Sequence, residues 1–179
     1  IHKAKEFASK AHNGQHRKIS RMPYIEHPAR VAQLVAEYFP DDPNMIAAAW
    51  LHDVVEDVEG IGIGQIELIF GEDIAMLVDG LTDVSKPEDG NRFTRKKLDR
   101  KRTAEQCDRV KNIKMCDLID NTADILSHDL KFAKTYLEEK MFLLEAIKND
   151  TIDRPLWNRA VGQAYQGILY IKEQNGEKK

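Results

Sequence analysis

Apolar residues recur along the chain at intervals of three and four, and strictly alternating stretches are almost absent. That spacing lines one face of a helix rather than one face of a strand. In the opening segment Ala4, Phe7, Ala8 and Ala11 form a small apolar stripe, which predicts a helix to about His12. The stretch NGQHRKISRMPYIEHP is rich in turn formers and reads as a loop. Pro28 suits the first position of the next helix, PARVAQLVAEYF, and its ring is expected to keep His27 out of the α region. Asp42 as a cap and Pro43 in the first turn start PNMIAAAWLHDVVEDV, read as one continuous helix. EGIGIGQ breaks it. A short helix near Ile66–Phe70 and another over about Glu72–Leu81 follow, then a polar connection over Asp83–Asn91. A basic helix, RFTRKKLDRKRTAEQ, is interrupted near Cys107–Arg109 and resumes as VKNIKMCDLIDNTADIL. Ser127–Asp129 reads as a helix end and a cap; helices over about Phe132–Lys148 and Arg154–Lys172 close the pattern, and residues 170–179 read as a frayed tail. The expectation is an all-α, multi-helix bundle, one domain over residues 1–179.

Composition narrows the setting. A chain of 179 residues is long enough for one sizeable core. A net charge of -3 gives no general affinity for nucleic acid. No apolar run reaches membrane-spanning length and no secretory signal opens the chain, so a cytoplasmic location without a membrane partner is expected. The chain begins inside a helix without a Met, so a few residues are expected to precede it. Cys107 and Cys116 lie in no metal-ligand spacing and read as unpaired and structural.

The segment LHDVVEDV packs one histidine and three carboxylates into eight residues. On a wheel of about 100° per residue with His52 at zero, Glu56 falls near roughly 40°, Asp53 near roughly 100° and Asp57 near roughly 140°. Leu51, Val54, Val55 and Val58 take the opposite arc. A solvated surface helix is the competing reading, but AAAW just upstream is apolar on nearly every side and argues for a buried element. Buried charge needs a partner or a metal. Further donors are His27 at the loop–helix junction and Asp117, on a helix where Lys114, Asp117, Asp120, Asn121 and Asp124 share one arc. Two imidazoles and two carboxylates suit Mn²⁺, Fe²⁺, Co²⁺ or Zn²⁺ and leave positions for water and substrate.

The pattern His27, His52–Asp53, Asp117 resembles the HD superfamily of metal-dependent phosphohydrolases. AHNGQHRKISRMPYIEHPARVA, LHDVVEDV, FGEDIAMLVDGLTD and KMCDLIDN are similar to the hydrolase domain of the Rel/SpoT enzymes and to the small alarmone hydrolases. That resemblance implies an HD-domain helical bundle with a central metal site. It implies Mn²⁺ on His27, His52, Asp53 and Asp117, with Glu56 and Asp57 handling the attacking water. It implies Arg17, Lys18 and Asn121 as nucleotide contacts, and hydrolysis of the 3′-pyrophosphate of (p)ppGpp. Asp120 and Asp124 depart from the pattern, at positions the resemblance puts near the nucleoside, so (p)ppApp and NADPH stay open as substrates. A non-enzymatic ligand sensor is disfavoured, because donors, ED pair and basic pair are all intact. With no room for a synthetase domain, the chain is expected only to degrade; whether it forms a homo-oligomer stays open.

Other features carry less. The run Arg92, Arg95, Lys96, Lys97, Arg100, Lys101, Arg102 reads as a solvated helix face, with an electrostatic lure for a polyphosphate as the alternative. GIGIG lacks the dinucleotide spacing. His12 reads as a structural hydrogen-bonding residue, and Trp50, Trp157, Tyr165 and Tyr170 as core or interface packing.

Overall fold

The computed structural model describes residues 1–175. Helices dominate it: α1 (His2–Ala11), α2 (Glu26–Tyr38), α3 (Pro43–Leu51), α4 (Val54–Asp57), α5 (Ile63–Phe70), α6 (Glu72–Leu81), α7 (Arg92–Ala104), α8 (Asp108–His128), α9 (Leu130–Ile147) and α10 (Arg154–Gln174). Among the described residues there is no strand, and one isolated bridge pairs His16 with Pro23.

Helix α8 is the axis. It packs against α2, α3, α6, α7, α9 and α10, and it is buried on most sides, from Val110 through Ile113, Cys116 and Ile119 to Ile125. A helix enclosed in this way can carry polar side chains only where partners meet them. It starts at Asp108, within the expected interruption, and Gly80 of α6 lies directly against Val110. Gly71, at φ 90°, separates α5 from α6 in a conformation that favours glycine. Cys107 is exposed, Cys116 is buried, and both are free thiols.

Asp42 caps α3 by accepting from the Met45 N–H at 3.0 Å, and Asp129 caps α9 through the Phe132 N–H at 3.0 Å, as expected. His27, however, lies inside α2. Its N–H donates to the Tyr24 carbonyl at 3.0 Å, and Pro28 falls in the first turn, where a missing N–H costs no helical bond. PNMIAAAWLHDVVEDV is not one helix: it breaks at His52–Asp53 into α3 and α4. There the His52 Nδ1–H donates to the Ala49 carbonyl at 2.8 Å, competing for the oxygen that an unbroken helix offers to the Asp53 N–H.

The expected frayed tail is also corrected. Helix α10 continues to Gln174 because Ile171, 7% exposed, joins Ile125, Ala133, Leu137 and Ala164 in a second apolar cluster. Residues 176–179 of that expectation lie outside the described residues. Trp157 packs against the core and donates from Nε1 to the Leu144 carbonyl, whereas Tyr165 and Tyr170 are 57% and 45% exposed and form no part of the core.

Candidate metal centre and nucleotide site

Three segments converge beside α8. Helix α2 supplies His27, the break between α3 and α4 supplies His52 and Asp53, and α8 supplies Asp117. His27 Nε2 lies 3.1 Å from Asp117 Oδ1 and 3.5 Å from Asp53 Oδ2. His52 Nε2 lies 3.2 Å from Asp53 Oδ2 and 3.8 Å from Asp117 Oδ1. The two Nε2 atoms are 3.2 Å apart. All four residues expected from the sequence therefore meet at one point.

Their tautomers bear on what fits there. A carbonyl can only accept, so the bond to Ala49 puts the His52 proton on Nδ1. His27 Nδ1 faces the Asp120 carboxylate at 2.7 Å and is a donor for the same reason. Both remaining Nε2 positions therefore point into the cluster, where two facing lone pairs are repulsive unless a proton or a cation lies between them. His27, His52 and Asp53 each offer a ligand atom within 4.8 Å of the others. A mixed nitrogen–oxygen set of this kind fits a divalent transition metal.

Electrostatics agree with that fit. Burial opposes a charged His27, yet hydrogen bonds to Asp117 and Asp120 and the charge of Asp53 outweigh it and hold the ring at about 9. His52 is raised as well, against burial, by Asp53 and Asp117. Asp53 and Asp117 are pulled below the usual carboxylate range although burial pushes them up; His52 and His27 act on Asp53, and Lys114 with the two imidazoles acts on Asp117. The centre thus binds protons on its imidazoles and keeps its carboxylates charged.

The expected water-handling pair sits on α4. Glu56 Oε1 accepts from the Asp83 N–H at 2.6 Å. Its carboxyl is pushed up to about 7, by desolvation and by the neighbouring Asp83 carboxylate, against the pull of Lys114. Asp57 Oδ2 accepts from the Tyr24 hydroxyl at 2.5 Å, and the same hydroxyl lies 2.8 Å from Asp53 Oδ2. Burial and these two carboxylates drive the Tyr24 phenol far up, so it stays protonated. The sequence gives Tyr24 no role; only the fold shows that it bridges Asp53 to Asp57 of α4.

Arg17 lies against Asn121 and Asp124. Its NH2 is 2.6 Å from Asn121 Oδ1, and Asn121 Nδ2 donates to Asp117 Oδ1. Lys18 is exposed and lines, with Arg17, Tyr24 and Asp124, an outer cavity of about 440 Å³. A second cavity of about 180 Å³ is lined in part by Asp117 and Asn121. Arg92, Lys96 and Arg100 of α7 line it together with Lys114. The basic run therefore divides: these three face the cavity, whereas Arg102 pairs outward with Asp79 at 2.6 Å. Lys114 is held cationic, despite burial, by Asp117, Asp83 and Glu56; its Nζ lies 3.0 Å from Asp117 Oδ2. The sequence put Lys114 on the polar arc, but its partners Asp83 and Glu56 come from other segments.

An all-helical fold with two histidines and two aspartates at its centre defines a class of metal-suited helical domain. Within that class the chain belongs to the HD domain family, whose model matches residues 4–125. A Synechocystis protein named "Probable guanosine-3′,5′-bis(diphosphate) 3′-pyrophosphohydrolase" is 52% identical over 80 residues, covering 45% of this chain and 10% of that protein. A GTP pyrophosphokinase of Streptomyces coelicolor is 41% identical over 90 residues, 50% of this chain and 10% of that one. These matches span about 10% of the curated relatives' length. A solved structure described as a metazoan orthologue of SpoT that hydrolyses ppGpp superposes with a TM-score of 0.77. The superposition covers 99% of this chain and 96% of that one at 24% identity, a likeness of fold.

Proposed function

We propose that this chain is a metal-dependent phosphohydrolase that removes the 3′-pyrophosphate of (p)ppGpp-type alarmones, releasing GDP or GTP and pyrophosphate. The observation that carries the reading is the pair of Nε2 atoms 3.2 Å apart, flanked by Asp53 and Asp117 and bordered by a cavity whose lining mixes Lys and Arg cations with carboxylates. His27, His52, Asp53 and Asp117 are the ligands in this reading, and Mn²⁺ is the metal. The names of the matched relatives support the substrate class, and Arg17, Lys18 and Asn121 are the nucleotide contacts. The described helices act in this reading as one hydrolase domain with a small-molecule substrate in the cytoplasm. None of them is long and apolar enough to cross a membrane.

The reaction adds water across the bond between the 3′-oxygen and phosphorus. The chemistry a divalent cation supplies in such a donor set is Lewis acidity, polarising a phosphoryl oxygen and acidifying water. Glu56, poised near neutrality, takes the water proton, and the departing 3′-oxygen gains one in exchange. Asp57, held by Tyr24, orients the water. Lys114 and the α7 cations favour the charge that builds on the phosphoryl oxygens. Asp120 and Asp124 are engaged by His27, Arg30 and Arg17, which weakens the sequence-based reason for preferring another nucleoside.

The test offers ppGpp, ppApp, NADPH and simple nucleotides to purified protein with Mn²⁺ and resolves the products by chromatography. Pyrophosphate released from ppGpp is the expected result. Orthophosphate from NADPH alone would replace the reading with a 2′-phosphatase, and Mn²⁺ binding without any turnover would replace it with a sensor.

A further inference from the structure

Asp120 sits one helical turn beyond Asp117 on α8, at a position that the family resemblance puts near the nucleoside. Its carboxylate faces α2. Oδ2 lies 2.7 Å from His27 Nδ1 and 3.1 Å from Arg30 NH2, and Oδ1 lies 2.5 Å from Arg30 Nε. Asp120 is 7% exposed, and both of its oxygens are engaged by α2. Burial would raise its pKa, but His27 and Arg30 outweigh burial and keep it ionised.

The other imidazole provides an internal contrast. His52 Nδ1 is satisfied by a neutral backbone carbonyl, whereas His27 Nδ1 is satisfied by a charged group that is itself clamped by a guanidinium. A carboxylate behind a ligating imidazole fixes the tautomer, holds the ring plane and makes the far nitrogen a better donor. Mutating a residue in this outer position typically costs about 10- to 100-fold in metal affinity or activity.

We infer that Asp120 is a positioning residue for the metal centre, acting through His27 with Arg30 as its clamp, and is not a nucleoside contact. The inference rests on the metal-centre reading above. It predicts that nucleotide-free Mn²⁺ affinity depends on Asp120.

Calorimetric titration of Mn²⁺ into nucleotide-free wild type, Asp120→Ala and Asp120→Asn tests it, with circular dichroism to check folding. Asp120→Ala is expected to weaken Mn²⁺ binding by about 10- to 100-fold. Asp120→Asn keeps the shape but sets an amide N–H against either Arg30 or His27, and is expected to fall between, about 3- to 10-fold weaker than wild type. A nucleoside contact would instead raise KM and leave Mn²⁺ affinity alone. Affinity within twofold of wild type in a folded variant overturns the inference, and if Asp120→Ala does not fold, Asp120→Asn decides it alone. Wild type that binds no Mn²⁺ would overturn the metal-centre reading first, a distinguishable failure.

Discussion

The Arg17 guanidinium is held edge-on by Asp124, with Nε and NH2 each 3.2 Å from Oδ2, while its central carbon stands 5.7 Å from the centre of the Tyr24 ring. Arg17 and Asp124 side chains are 12% and 8% exposed. Removing the carboxylate would leave a largely desolvated guanidinium held only by the Asn121 hydrogen bond and the Tyr24 ring. Asp124→Ala is therefore expected to raise KM for the nucleotide about tenfold, a loss of about 1.4 kcal/mol. Mn²⁺ affinity should not change, since Asp124 is not among the donors. Steady-state kinetics beside a Mn²⁺ titration separates the two.

The donors and the water-handling pair should separate by mutation. Asp53→Ala removes an oxygen that faces both Nε2 atoms and is expected to abolish Mn²⁺ binding in calorimetry. Glu56→Gln keeps the Mn²⁺ affinity and lowers kcat by about 10²- to 10³-fold, the range of a lost general base. Loss of metal in the Glu56 variant would show that Glu56 belongs to the donor set.

Protons compete with the metal. His27 is held at about 9 in the metal-free protein, above its ordinary value of 6.5. A raised folded-state value contributes stability that is fully present below pH 6.5 and disappears as the pH rises through 9. Metal-free protein should therefore lose thermal stability across that window. Mn²⁺ affinity should move the other way, rising by about tenfold per pH unit towards 9 where one proton is released on binding. Melting curves with EDTA and titrations with Mn²⁺ at several pH values measure both slopes.

Packing of α6 on α8 gives a test remote from the chemistry. A Cβ on Gly80 would stand 2.8 Å from Val110 Cγ2 and 2.8 Å from Gln106 Oε1. Exchanging glycine for alanine within a helix ordinarily gains about 0.8–1 kcal/mol, whereas overpacking costs about 1–3 kcal/mol. Gly80→Ala is expected to destabilise by about 1 kcal/mol on balance, read as a lower urea midpoint.

What the sequence made legible was a set of four side chains that the fold brings together. His27, His52, Asp53 and Asp117 are titratable residues among apolar neighbours, and buried charge needs an explanation from composition alone. The break at His52–Asp53 was not legible, because it depends on a side chain turning back to its own backbone at Ala49. Helical periodicity put Asp120 on the same arc as Asp117 but could not say that Arg30, from α2, would claim it. The basic run shows the same limit. Arg92, Lys96 and Arg100 repeat every four residues, yet nothing local distinguishes the face that meets Lys114 from the one that meets solvent.

The four proposed donors come from three segments distant in sequence, so they meet only when α2, the α3–α4 break and α8 are all docked. An ion that binds this arrangement and not the unfolded chain acts as a mass-action clasp on tertiary structure. At a hundred times its Kd it would add about 2.7 kcal/mol to folding. Chelation would then subtract that amount from the assembly of all three segments at once, loosening the bundle as well as silencing the site.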